Sequence, residues 1–205
     1  MIPTKETLSV EFKSDQRTLG ESIIVDEVVA LSNSEGGDLY IGVEDDGEIT
    51  GAQPAHRDPI QVAAMVANKT VPPVSVRAET LAEKFPVMHI EVPRSRSIVA
   101  TSNGRILRRR IKSDGTPESV PMYPYEIATR LSDLGRLDYS AQPAVDATCD
   151  DFDSLELARL RRLVQTSRGG DRALLELTDD ELERALKLTT RVGEKDVPTL
   201  AGLLM

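Results

Sequence analysis

What most constrains the fold of this 205-residue chain is the run over residues 33–51, Asn-Ser-Glu-Gly-Gly-Asp-Leu-Tyr-Ile-Gly-Val-Glu-Asp-Asp-Gly-Glu-Ile-Thr-Gly. Its adjacent glycines, Gly36 and Gly37, stop whatever helix precedes them. Residues 39–43 then form a short apolar strand that runs directly into three acids, Glu44, Asp45 and Asp46. Asp46-Gly47 is a strong tight-turn signal, so residues 39–43 and 48–51 are expected to meet as an antiparallel pair. Carboxylates clustered at a strand end make either a site or a strongly polar turn, and both readings stay open here.

The flanks supply the remaining elements. Over residues 7–13 the apolar Leu8, Val10 and Phe12 alternate with Ser9, Glu11 and Lys13, the period of a half-buried strand. Glu11 and Lys13 then share its polar face. Over residues 19–31, Ile23, Ile24, Val28 and Leu31 recur at helical spacing, with Glu21, Asp26 and Glu27 elsewhere on the circumference. A second helix over residues 60–68 groups Ile60, Ala63, Ala64 and Ala67, with Pro59 at its start and Val71-Pro-Pro-Val74 breaking it. Strands are expected over 74–79, 87–92 and 105–111, and a helix over 125–134. This order predicts an α+β fold with a mixed or antiparallel sheet flanked by helices over residues 1–137. Residues 138–152, with Gln142-Pro143 and Asp146, Asp150 and Asp151, read as a linker. Residues 153–205 read as a small helical unit. Leu155, Leu157, Leu160, Leu163 and Val164 define one helix ending at Gly169-Gly170, and Thr178-Asp-Asp-Glu181 caps another that runs to about Lys187.

Composition narrows the function classes. The single cysteine, Cys149, rules out an intramolecular disulfide and a multi-cysteine zinc site. No stretch approaches the roughly 20 apolar residues of a membrane span, and Met1 to Lys13 lacks the apolar core of a signal peptide, so a cytoplasmic protein with no membrane partner is expected. Phosphate-loop and nucleophile-elbow motifs are absent. His56 and His89 have no second His or Cys at ligand spacing and are assigned no function. A net charge of −9 disfavours polyanion binding by the surface as a whole. Between Arg94 and Lys112, however, Arg94, Arg96, Arg105, Arg108, Arg109, Arg110 and Lys112 are separated by neutral residues only, enough for one phosphate-binding face. Aromatic platforms nearby are few, Tyr40, Tyr123 and Tyr125, so backbone recognition is expected over base reading.

Glu6-Thr-Leu-Ser-Val-Glu11-Phe-Lys13, a helix closing on Asn33-Ser-Glu-Gly36-Gly37, and Ile41-Gly42-Val43 with acids and Gly47 behind it resemble the Schlafen AlbA-2 domain, over about residues 1–135. The resemblance implies a nucleic-acid-binding domain of a bacterial transcriptional regulator or helicase-related ATP-binding protein. Residues 200–205 resemble the start of a segment leading towards an ATPase-like domain, so any ATP site is expected beyond residue 205. In RNA-cleaving Schlafen proteins the acidic triad matches Glu6, Glu11 and Asp45 here. Three such carboxylates suit Mg²⁺ or Mn²⁺, with Lys13 steadying charge on the phosphate. Because Glu6 and Glu11 are an odd five residues apart, their convergence requires Glu6 to lie in a turn before the strand. The family's glycine-then-arginine near a strand end matches Gly104 and Arg109. In this reading Asn33, Gly36, Gly37, Gly42 and Gly47 are structural.

The leading expectation is therefore a nucleic-acid-binding module contacting DNA or RNA phosphates through Arg105, Arg108, Arg109, Arg110 and Lys112, with Lys13 adding a contact. The alternatives are a metal-dependent nuclease built on Glu6, Glu11, Asp45 and Lys13, and a sensor or homo-oligomerisation module.

Overall fold

The structure is a computed structural model and describes residues 2–167, 169 and 171–204. It divides into two compact units at Leu134/Gly135.

In the first unit β1 (Val10–Lys13), α1 (Glu21–Asn33) and β2 (Gly37–Ile41) are followed by α2 (Pro59–Lys69), the short β3 (Thr70–Val71), β4 (Arg77–Ala82), β5 (Pro86–Val92) and the short β6 (Ala100–Thr101). The hairpin β7 (Leu107–Ile111) and β8 (Pro117–Pro121) and the helix α3 (Pro124–Asp133) complete it. The main sheet has the order β1-β2-β5-β4, with β1 and β2 parallel and the other pairs antiparallel. This is the mixed sheet expected from the element order. It differs from expectation around the acidic turn. β2 pairs with β1 and β5, while residues 48–51 contribute a single bridge, Val43 to Ile49. The partner of β2 is set by burial: β5 brings Met88, Ile90 and Val92 beneath α1, which the polar segment after Gly47 cannot do.

α1 covers one face of the sheet, burying Ile24, Val25, Val28 and Leu31 against Leu39, Ile41, Met88 and Ile90. On the opposite face Phe12, Tyr40, Val43 and Val87 form a smaller cluster. Two glycines are obligatory. Gly37 lies at φ 145°, where a Cβ would stand 2.1 Å from the Ser9 carbonyl oxygen, and Gly42 lies at φ 95°, where it would meet Gly51 at 2.3 Å. β1 is shorter than its alternating pattern suggests. Thr7 and Val10 exchange backbone hydrogen bonds of 3.0 and 3.4 Å, so residues 7–10 turn and Leu8 is exposed.

The second unit contains α4 (Ser154–Thr166), α5 (Asp179–Ala185), the hairpin β9 (Thr189–Val192) and β10 (Lys195–Pro198), and α6 (Leu200–Leu203). Leu157, Leu182 and Leu188 form its core. The expected small helical unit also carries a hairpin, in which Gly193, at φ 64°, turns between two short β-rich segments. Residues 138–152 are not a free linker, because Ala144 donates to the Pro198 carbonyl (2.8 Å), and Leu200 and Ala201 donate to Gln142 and Ser140 (3.0 and 2.8 Å). α4 ends at Thr166, and Gly170, expected to end it, lies outside the described residues, as does Met205.

Candidate nucleic-acid interface

The basic segment is positioned by the end of α1. Asn33 is buried, and its Nδ2 donates to the carbonyls of Val99 (2.7 Å) and Leu107 (2.9 Å) while its Oδ1 accepts from the Val99 amide (2.8 Å). Ser34 Oγ accepts from the Arg109 amide at 2.9 Å. These bonds satisfy backbone groups at a buried chain crossing and fix the register of β7. Strand alternation then divides the arginine triplet: Leu107 and Arg109 face inward, while Arg108 and Arg110 face outward.

Inside, the Arg109 guanidinium is fully enclosed. Nη2 stands 2.5 Å from Glu11 Oε2 and donates to the Thr7 carbonyl at 3.1 Å. Nη1 donates to Glu27 Oε2 (3.3 Å) and Ser119 Oγ (3.1 Å), and Ser119 Oγ donates in turn to Glu27 Oε2 at 2.5 Å. Lys13 pairs with Glu11 Oε1 and lies 3.3 Å from Glu27 Oε1. Two carboxylates thus face two cations, and the cluster is neutral when all four are ionised. Burial, followed by repulsion from Glu27, raises the Glu11 carboxyl above its ordinary value; Lys13 and Arg109 pull it back only in part. Burial works to lower the Lys13 ammonium, yet Glu27 and Glu11 together raise it. Glu11 and Lys13 do share a strand face, but it is the face covered by α1.

These contacts correct three expectations. Arg109 is enclosed by protein and offers no surface for a phosphate. Lys13 is held by Glu11 and Glu27. Glu6, Glu11 and Asp45 are not gathered into a metal site: among the described residues no three His, Cys, Asp or Glu side chains are placed to hold an ion together. The turn before β1 does fold Glu6 back, but onto the Phe12 amide, which donates to Glu6 Oε1 at 2.9 Å. The oxygens of Glu11 face Lys13 and Arg109. Asp45 is exposed in a turn closed by the Gly47 amide donating to the Glu44 carbonyl (2.8 Å).

Outside, Arg108 pairs with Glu126 of α3, Arg110 Nε donates to Glu118 at 2.6 Å, and Lys112 stands 3.9 Å from Asp114. The side-chain exposures are 24% for Arg108, 47% for Arg110 and 42% for Lys112. The pairs of Arg110 and Lys112 are exposed and contribute about 0–1 kcal/mol, so a dianionic or repeated phosphate can displace their carboxylates, whereas Arg108 and Glu126 are largely shielded from solvent. Arg105 belongs elsewhere. It pairs with Asp26 at 2.6 Å and lines a separate cleft of about 300 Å³ with Ser22, Lys69 and Thr101.

Sequence reasoning missed the partners. Glu27 and Ser119 carry no motif, and their role depends on α1 lying against β7. The histidines also have structural partners. Fully buried Asp15 accepts from the Leu19 and Gln53 amides (both 2.7 Å) and meets His56 Nδ1 at 2.9 Å. His89 lies between Asp38 and Glu79 and stacks on Tyr40. Tyr40 is thereby removed from the surface.

A mixed sheet under α1, with an inward-facing ion cluster behind an outward-facing basic hairpin, is the frame with which known proteins can be compared. The family model described as Schlafen, AlbA_2 matches residues 6–116, more than half of the chain, and the chain belongs to this family. Among solved structures it is similar to the DIP2311 protein from Corynebacterium diphtheriae, with a TM-score of 0.50 and 25% sequence identity. That match covers 98% of this chain and 36% of the other, so the chain spans about a third of that protein's length. No curated protein matches the chain significantly. Among the described residues no helix is long and apolar enough to cross a membrane.

Proposed function

We propose that this chain is a nucleic-acid-binding module that grips the phosphate backbone through the outer face of the β7–β8 hairpin, within a longer cytoplasmic bacterial regulator or helicase-related ATP-binding protein. Family membership supports the nucleic-acid reading. The observation that carries the location is the alternation of β7: Arg109 is anchored inside, and Arg108 and Arg110 project outward beside Lys112. The net charge of −9 confines attraction to this face.

The test is binding of a labelled oligonucleotide across a salt series. Each phosphate contact on a single strand contributes a log-log salt slope of about 0.7. Replacing Arg110 and Lys112 with alanine should weaken binding and flatten the slope by roughly 1.4. Glu118→Gln, which releases Arg110, should tighten it. Affinity and slope unchanged in both variants would sink the assignment to this hairpin.

A further inference from the structure

Immediately after β8 the chain places two tyrosines on the surface. Tyr123 and Tyr125 are 57% and 68% exposed, and their rings are nearly parallel, 10° apart with centroids separated by 6.1 Å. Exposed aromatic pairs need an explanation, because stacking buries little of either ring here. Their position is tied to the basic hairpin by one residue. Glu126 Oε2 accepts from the Tyr123 amide at 2.8 Å, and its other oxygen pairs with Arg108. The Met122 amide donates to the Ile106 carbonyl (2.9 Å), holding the segment against the entrance to β7. The tyrosines are therefore fixed beside the outward arginines.

We propose that Tyr123 and Tyr125 form a stacking platform for unpaired bases, so that the ligand of the basic hairpin is single-stranded nucleic acid. This rests on the phosphate-binding reading above and adds the class of ligand. A π-face accepts any base but only one that is free of its helix, and a stacked base contributes about 1–3 kcal/mol, a factor of roughly 5–150 in affinity. Arg108, Arg110 and Lys112 supply the complementary charge for the phosphates joining those bases. A duplex offers the phosphates and withholds the faces. A protein partner is the competing occupant of an aromatic patch, but the cations beside the tyrosines favour a polyanion.

The experiment measures binding of the full chain, by fluorescence anisotropy, to a 12-mer of deoxyuridine, a 12-mer of uridine, an abasic strand of equal length and a duplex of equal length. Both base-bearing strands should bind at least about 5-fold more tightly than the abasic strand, and Tyr125→Ala should abolish that preference while leaving abasic binding unchanged. Tyr125→Trp should preserve the preference. It also introduces a tryptophan into a chain that has none, and a stacked base should quench it. A preference for only one of the two base-bearing strands would identify the sugar and leave the platform intact. Equal binding of the abasic strand, or a duplex preferred over single strands, would overturn the platform while the phosphate-binding reading survives. Absence of binding to all four would overturn both. Light scattering separates the remaining case: a dimer lost in Tyr125→Ala, with oligonucleotide binding unaltered, would assign the patch to a second copy.

Discussion

Arg109 and Arg110 are neighbours of the same chemical type with opposite situations, and they make opposite predictions. Arg109 faces Glu11 and Glu27 in the interior, and removing one partner of a buried ionic cluster leaves the others uncompensated, at about 3–5 kcal/mol. Arg109→Ala should therefore lower the denaturation midpoint sharply, whereas Arg110→Ala, at an exposed pair, should change stability by no more than about 0.5 kcal/mol. The loss in Arg109→Ala should also depend on pH. Glu11 already has a folded-state pKa above its ordinary value of 4.5; without Arg109 it rises further. A group with a raised folded pKa favours folding below its unfolded pKa and loses that contribution as pH rises through the folded value. The variant should thus be closest to wild type near pH 4 and furthest from it at neutral pH. Equal deficits at both pH values would mean that packing, not uncompensated charge, dominates.

At the scale of elements, α3 is the piece on which both arginine placement and tyrosine placement depend. Its first turn is held by Glu126, which serves the Tyr123 amide and Arg108 together, and its far end by buried Arg130, whose Nη2 donates to the Ser95 carbonyl at 3.2 Å. The bond to Arg108, above all, holds the Glu126 carboxyl below its ordinary value of 4.5. A depressed carboxylate pKa gives stability that is present above the unfolded value and lost as pH falls through the folded one. Protection of the amides in the first turn of α3, relative to their intrinsic exchange rate at each pH, should therefore fall below about pH 4.5 in wild type. In Glu126→Ala it should already be low at pH 7 and change little with acid, since such caps contribute about 0.5–2 kcal/mol. A wild-type profile flat down to pH 3 would remove Glu126 as the tether. Much of this element scale was legible in the sequence. The period of α1, the Gly36-Gly37 stop and the apolar strand after it are local signals, and each corresponds to an observed element. β8 was not legible, because Pro117 and Pro121 bound it and no apolar alternation marks it. The division of Arg108–Arg110 between inside and outside needed the strand's register, which is fixed by Asn33 and Ser34 some 75 residues earlier in the chain. Glu6, Glu11 and Asp45 were legible as acids, but their separation depends on a turn at residues 7–10 that an alternating pattern conceals.

On the scale of the whole molecule, the two units have separate cores: the clusters around Ile24 and Phe12 lie wholly before residue 134, and the cluster around Leu157 wholly after it. A unit of that size buries enough of its surface to fold alone, and Arg108, Arg110, Lys112, Tyr123 and Tyr125 all lie within it. Residues 1–134 expressed by themselves should therefore unfold in a single cooperative transition and bind an oligonucleotide with the salt slope of the full chain. Affinity should stay level or rise, because the removed segment carries more acids than bases and its field opposes polyanion approach. That rise should fade above about 0.15 M salt, where charges more than about 8 Å apart are screened. A folded fragment with no affinity would place part of the interface after residue 134. A fragment that unfolds gradually, without a transition, would show that the first unit draws its stability from the second.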